Sequence, residues 1–136
     1  MPVNYTRSDN DLGWLLDNLV NDIRHCRGAL LLSADGISKM SSGLDDGQDS
    51  ELAATVSGLL SLAGNTWKVS GKRESVRRVV VELDDCLLFI TAAGSGSVLA
   101  VVTDREADAA NVGFATSKFT AAVKPSLTTP ERLSAR

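Results

Sequence analysis

The apolar positions of this 136-residue chain recur with helical spacing in three segments. In residues 9–26, leucine, valine and isoleucine recur at intervals of three and four, with aspartate and asparagine on the other side, which predicts an amphipathic helix. Gly28 is expected to stop this helix. A broader and weaker apolar stripe predicts a last helix over residues 107–123, ended by Pro125.

Short apolar runs bounded by turn residues predict five strands, at residues 29–33, 37–42, 76–83, 86–91 and 98–103. The connections between the last three strands are too short for crossovers, so those strands are expected to be antiparallel. Residues 86–90 and 98–102 are apolar on both faces, which predicts central strands covered on both sides. The run 76–83 carries three charged residues and is expected at a sheet edge.

The remaining helical segment, residues 50–68, is unusual because its central run 52–67 contains no charged residue. One side of this helix carries the apolar residues Leu52, Val56, Leu59, Leu60, Ala63 and Trp67. The other side is small or polar, and consists of Ser50, Ala54, Ser57, Gly58, Ser61, Gly64 and Asn65. Small side chains permit close backbone approach, and interface cores are depleted in charge, so we favour a subunit interface over burial within one monomer.

The predicted interface of a homodimer combines this small-residue face with the edge strand. Its expected residues are Ala54, Ser57, Gly58, Ser61, Gly64, Val76, Arg78 and Val80. Trp14 falls on the polar side of the first helix, and Trp67 lies at the end of the second. Tryptophan is enriched at interfaces, so both are possible partner contacts, although cover by a segment of the same chain is the commoner explanation for Trp14.

These elements follow the order α-β-β-α-β-β-β-α. The order predicts an α/β (α+β) fold, an α/β/α sandwich in which one five-stranded antiparallel sheet has helices on both faces. A single domain is expected at residues 9–124, between an N-terminal arm at 1–8 and a flexible C-terminal tail at 125–136.

Composition limits the classes of partner. The formal net charge of −3 and the pI near 5.1 argue against nucleic acid as the main ligand. A local basic cluster, Lys68, Lys72, Arg73, Arg77 and Arg78, is better explained as a solvated strand end. The sequence contains no apolar signal segment and no run long enough for a membrane span, which predicts a cytoplasmic protein. In that compartment Cys26 and Cys86 are expected to be free thiols, although their pairing stays open.

The sequence contains no recognisable catalytic, cofactor-binding or metal-binding motif. His25 is best explained as a surface residue that complements a helix dipole, since no cysteine or carboxylate stands at ligand spacing from it. The segment from Gly64 to Lys72 departs from the spacing of a phosphate-binding loop, and residues 93–97 lead into a strand rather than a helix. The acidic pairs 45–46 and 84–85 lack an accompanying nucleophile or base. We therefore expect a binding or scaffold module and not an enzyme.

Three segments resemble the stand-alone roadblock/LC7 proteins of actinomycetes, which belong to the dynein light chain roadblock-type family. They are residues 11–20 (DLGWLLDNLV), 29–36 (ALLLSADG) and 53–67, and the resemblance covers roughly residues 9–124. It implies a roadblock fold that forms a homodimer through the second helix and the third strand. It also implies a non-catalytic role in regulating or scaffolding a Ras-like small GTPase, often beside a sensor kinase.

The leading hypothesis is therefore a homodimeric regulator of a small GTPase. The alternative is a small-ligand sensory domain of PAS- or GAF-like architecture, because such domains also wrap helices around a five- or six-stranded antiparallel sheet. A filled sheet–helix interface would favour the scaffold, and an apolar pocket of about 300 Å³ or more would favour the sensor.

Overall fold

A computed structural model describes the backbone of residues 3–134 and the side chains of residues 11–123. The helices are α1 (Val3–Asp22), α2 (Gln48–Gly64), α3 (Trp67–Ser70) and α4 (Ala109–Ser134). The strands are β1 (Cys26–Ser33), β2 (Ser38–Ser42), β3 (Arg78–Glu82), β4 (Cys86–Gly94) and β5 (Ser97–Asp104). All five strands form one antiparallel sheet in the order β2-β1-β5-β4-β3, which confirms the predicted fold class.

The alternation of side chains along the strands divides the core into two layers. Helices α1 and α4 cover one face of the sheet, where the buried residues include Leu16, Leu19, Leu31, Phe89, Leu99, Val101, Val112 and Phe119. Helix α2 covers the other face, where the buried residues include Leu30, Leu32, Ala53, Val56, Ile90 and Ala100. Strands β4 and β5 lie inside the sheet and β3 lies at its edge, as the sequence predicts.

The connections between the last three strands are short turns. The turn between β4 and β5 places Ser95 at φ 54° and Gly96 at φ 74°. Two successive residues with positive φ define the type I′ geometry that matches the twist of a two-residue hairpin. At the turn between β3 and β4, the backbone N–H of Leu83 donates to the carbonyl of Cys86 at 2.8 Å. Both connections therefore join antiparallel neighbours in the sheet.

The predicted bounds of the first helix are wrong at both ends. Helix α1 already begins at Val3, within the expected arm, and it ends at Asp22 rather than near Cys26. His25 adopts a left-handed backbone (φ 69°), which turns the chain into β1. Gly28 lies within β1, where a Cβ would meet the carbonyl oxygen of Ser42 at 2.9 Å. This glycine therefore serves close strand packing and not a helix cap.

Three further boundaries differ from the predictions. The second helix stops at Gly64, because glycine and asparagine are weak helix formers, and Trp67 begins the separate short helix α3. Val76 precedes β3 instead of lying in it. Helix α4 continues past Pro125 to Ser134, since a proline removes one backbone donor and bends a helix without always ending it. Whether residues 125–136 form a flexible tail stays a prediction.

Gly43, at the end of β2, combines two constraints that an alanine substitution would violate. Its φ is +81°, and a Cβ would lie 2.7 Å from the carbonyl oxygen of Arg27. We expect Gly43→Ala to lower the free energy of unfolding by about 2–5 kcal/mol, through backbone strain and overpacking together. Gly47→Ala is the matched control, because its φ is +85° but nothing lies within 4 Å of its Cβ. Urea denaturation should show the smaller loss for Gly47→Ala; equal losses would contradict the steric argument.

Candidate functional site

The small-residue face of α2 is exposed to solvent in the monomer. Ala54, Gly58 and Ser61 are all exposed, whereas Ala53 and Val56 on the other side of the helix are buried in the core. Leu62 is 70% exposed and lies one turn beyond Gly58. Within the described part of the chain nothing covers the outer face of α2, so the alternative explanation for its missing charges, burial within one monomer, is wrong.

Nothing in the described part of the chain explains why residue 58 is a glycine. It lies in the middle of α2, where glycine costs about 1 kcal/mol relative to alanine. A Cβ built on Gly58 would meet nothing within 4 Å, and the residue does not have a positive φ. The described part of the chain thus tolerates a side chain at this position and does not itself require a glycine there.

Two residues of the predicted interface, Ser57 and Gly64, already make contacts within the monomer. The Ser57 hydroxyl donates to the carbonyl of Ala34 at 3.1 Å and is half-buried against the turn between β1 and β2. Gly64 ends α2, and its Cβ position would lie 4.0 Å from Val76 Cγ2. Ser57 and Gly64 therefore flank the exposed patch, whose centre is formed by Ala54, Gly58 and Ser61.

The outer edge of β3 has no neighbouring strand within the described chain, since β3 pairs only with β4. Its residues alternate between exposed and half-buried. Arg78 is exposed and Val80 is 52% exposed, while Val79 and Val81 pack against the core on the α2 side. An edge strand with a valine-rich centre offers unpaired backbone donors and acceptors to another strand.

The α2 face of the sheet is incompletely covered. Five strands spaced about 4.8 Å apart span roughly 19 Å, and one helix with its side chains covers about 10–12 Å. Two long helices cover the opposite face, but α2 and the four-residue α3 are the only helices on this side among the described residues. Val79, Val81 and Leu60 accordingly remain only partly buried. A second copy of α2 would supply the missing cover.

The two tryptophans do not form one site. Trp14 is 65% exposed and lines a groove between α1 and α4, on the sheet face opposite to α2. Trp67 is half-buried at the start of α3, where the guanidinium of Arg73 lies 4.5 Å from its ring centroid. This cation–π contact covers Trp67 within its own chain. Only Trp67 lies near the predicted dimer interface, in a cleft of about 430 Å³ that Gly64 and Val76 also line.

The clefts of the described surface are open rather than enclosed. The cleft between α2 and the sheet measures about 370 Å³ and is lined by both apolar residues (Leu44, Leu52, Val102) and polar residues (Arg27, Gln48, Glu51, Thr55). Between α4 and the sheet, the space beside Val80 and Phe89 is only about 80 Å³. The interface between α4 and the sheet is therefore largely filled, whereas the cleft beside α2 is open to solvent.

The two cysteines are free thiols. Burial is the main reason that the pKa of Cys26 lies above its ordinary value, with a smaller contribution from the nearby Asp104 carboxylate. A raised pKa keeps the thiol protonated and unreactive at neutral pH. The neighbouring Arg27 guanidinium bonds Asp104, and this hydrogen bond raises the pKa of Arg27. This corner of the molecule thus contains no activated nucleophile among the described side chains.

Only one group of residues in the described part of the chain has the donor atoms and the proximity to hold a metal ion. His25, Asp104 and Glu106 each place one ligand atom within 4.8 Å of the other two. This group could not be predicted from the sequence, because His25 lies 79 positions before Asp104 and the two meet only through the pairing of β1 with β5. His25 also lies outside the last turn of α1, so its predicted role in complementing the helix dipole is wrong.

Sequence reasoning also missed several exposed apolar side chains, among them Leu62, Val69 and Phe114. These three are 70%, 89% and 73% exposed, respectively. Leu62 could have been found by projecting residues 50–68 onto a helix, because it falls only about 40° from Gly58 on the outward side. Neither Val69 nor Phe114 gives a comparable signal in the sequence.

Comparisons with known proteins agree with this architecture. Residues 12–103 match the model of the Roadblock/LC7 domain family. A Roadblock/LC7 domain from Streptomyces avermitilis is 44% identical over 86% of this chain and 98% of that chain, with a TM-score of 0.82. A search of curated proteins gave no match.

Two more distant likenesses show the fold alone. MglB from Myxococcus xanthus is 22% identical over 81% of this chain and 89% of that chain, with a TM-score of 0.71. An MglB with a tetrameric arrangement is 18% identical over 90% of this chain and 89% of that chain, with a TM-score of 0.74.

In the part of the chain that the structure describes, no helix has the length and apolar character needed to cross a membrane. The family match covers nearly all of the sheet together with most of α1 on one face and α2 on the other. The 44% identical relative extends the likeness to 86% of the chain. The chain therefore belongs to the Roadblock/LC7 family and is, like other members of that family, a non-enzymatic regulatory protein.

Proposed function

We propose that this protein is a homodimeric regulator and scaffold for a Ras-like small GTPase in a signalling system of the cytoplasm. The observation that supports the dimer most directly is Gly58, an exposed mid-helix glycine whose Cβ position is empty in the monomer. The exposed edge of β3 and the incomplete cover of the α2 sheet face support the same arrangement.

In the proposed dimer, α2 packs against its twofold mate and β3 pairs with the β3 of the second copy. The sheet then continues across the twofold axis, and the second α2 covers Val79 and Val81. The tetrameric arrangement of a related MglB is consistent with a fold that presents surfaces for self-association.

A protein without catalytic residues can still regulate a partner by binding it and ordering its structure. A GTPase carries its own phosphate-binding and metal-binding groups, so a regulator can act by ordering the partner's switch loops. The GTPase partner is inferred from the family resemblance, and association with a sensor kinase follows from the same resemblance. Charge supports a protein partner over nucleic acid, since the net charge is −3.

The alternative role as a ligand sensor has less support. The cleft of about 370 Å³ beside Arg27 exceeds the volume that a small ligand needs, but it is open to solvent and lined by four polar residues. A sensor pocket is expected to be concave and mostly apolar, and to bury most of its ligand.

The edge pairing of β3 gives a specific expectation. Val80→Pro removes a backbone donor from the middle of β3, at an exposed position of an edge strand. We expect the variant to fold and its dimer dissociation constant to be at least about tenfold higher than that of the wild type. Analytical ultracentrifugation measures this change, with Val80→Thr as the matched β-branched control. A folded Pro variant with unchanged dimer affinity would contradict strand pairing through β3.

The GTPase assignment is tested by capture from native lysate. The immobilised full-length protein is incubated with lysate supplemented with GDP or with a non-hydrolysable GTP analogue, and the retained proteins are identified by mass spectrometry. We expect a P-loop GTPase to be enriched in one nucleotide state and to bind the purified protein directly. Failure to enrich such a GTPase in either state would contradict the proposed partner without affecting the dimer.

A further inference from the structure

The start of β1 and the end of β5 bring together three side chains that lie outside the proposed dimer interface of α2 and β3. His25 precedes β1, Asp104 ends β5, and Glu106 follows two residues later. From this geometry we infer that His25, Asp104 and Glu106 form a binding site for a divalent transition-metal ion of the Zn²⁺ class.

The backbone fixes the positions of these side chains. The N–H of Asp104 donates to the carbonyl of His25 at 2.8 Å, which extends the β1–β5 pairing to the ligand residues themselves. The N–H of Ala107 donates to the carbonyl of Asp104 at 3.2 Å, and this turn returns Glu106 towards Asp104. Three ligands from two chain segments are therefore held at one end of the sheet.

The separation of the donor atoms suits a metal ion. All three ligand atoms lie within 4.8 Å of one another. Two ligands about 2.1 Å from a tetrahedral Zn²⁺ ion are roughly 3.4 Å apart, so small rotations of side chains are sufficient to close the site. His25 and Glu106 are exposed and can make those rotations, whereas the half-buried Asp104 carboxylate is held in place by its ion pair with Arg27.

Charge at the site favours a cation. Arg105 lies between the two carboxylates in sequence, but it is directed away and pairs with Glu82 at 2.9 Å. Arg27 pairs with Asp104, whereas Glu106 forms no ion pair among the described side chains, so its carboxylate is available to a cation. One imidazole and two carboxylates match the ligand preferences of Zn²⁺, and three protein ligands leave a position for water.

The sole histidine of the chain provides a direct readout. In untagged full-length protein, the imidazole resonances observed by NMR belong to His25 alone, and Zn²⁺ is added as the metal salt. We expect saturable shifts at one equivalent, with Glu106→Gln weakening the affinity at least about tenfold, because loss of even outer-shell partners costs 10–100-fold. Glu74→Gln, an exposed residue at the opposite end of the sheet, should leave the titration unchanged.

A second variant tests the imidazole as a ligand without disturbing the backbone at position 25. His25→Asn keeps a residue that tolerates the left-handed backbone, and it should abolish the rise in melting temperature that Zn²⁺ gives the wild type. Absence of saturation below about 1 mM, or an equal response in wild type and Glu106→Gln, would overturn the three-ligand site. Unchanged thermal stabilisation of His25→Asn by Zn²⁺ would overturn it as well.

Discussion

Gly58→Glu is expected to convert the dimer into a folded monomer. The substitution places a carboxylate on the exposed face of α2, where the monomer has open space for it and the proposed dimer has none. An unpaired charge in a buried interface costs about 3–5 kcal/mol, which raises the dimer Kd more than about a hundredfold. Multi-angle light scattering at micromolar concentration should give the dimer mass for the wild type and the monomer mass of 14.4 kDa for the variant.

Ser117→Glu is the matched control for this experiment. It adds the same charge to an exposed small residue in the middle of α4, on the opposite face of the sheet. We expect this control to remain a dimer. A wild type that is monomeric at micromolar concentration, or a Gly58→Glu protein that stays dimeric, would refute the α2 interface.

Gly58→Ala distinguishes a glycine that lies in a dimer interface from one that faces only solvent. If α2 faces only solvent, alanine should stabilise the protein by up to about 1 kcal/mol, because its Cβ meets nothing in the monomer. If two α2 helices pack at Gly58, the added methyl group separates them and weakens the dimer. The two changes have opposite signs, so dimer affinity and monomer stability measured together identify the cause.

The sequence predicted the fold well where local patterns and burial agree. Residues 98–102 are apolar on both faces, and β5 is the central strand whose side chains are buried on both sides. The charged run around Arg78 predicted an edge, and β3 is an edge. These assignments succeeded because the pattern of side chains directly reflects how many faces of a strand are covered.

The boundaries failed where a single residue type was taken as a stop signal. Gly28 has a role in tight strand packing and Pro125 lies inside α4, and neither role can be inferred from the residue type alone. The cluster of His25, Asp104 and Glu106 could not be predicted from the sequence for a different reason. It depends on strand order and register, which join residues that are far apart in the sequence.

If the protein regulates a GTPase, the monomeric Gly58→Glu variant should lose most of the effect, whereas no single arginine should be essential. Arg73 is stacked on Trp67, and Arg77 and Arg78 are exposed beside the proposed dimer edge. An arginine finger contributes about 10³–10⁵ in rate, so its removal would abolish stimulation. We expect alanine at Arg73, Arg77 or Arg78 to lower the rate less than about tenfold.

The measurement is single-turnover GTP hydrolysis by the captured GTPase, with binding monitored in parallel. Loss confined to Gly58→Glu would show that the partner recognises a surface formed by two copies, because that substitution leaves every arginine in place. A thousandfold loss from one arginine variant that still binds would instead place that guanidinium at the reacting phosphate. Because a scaffold acts only by ordering the partner's own residues, that single result would exclude the scaffold mechanism proposed here.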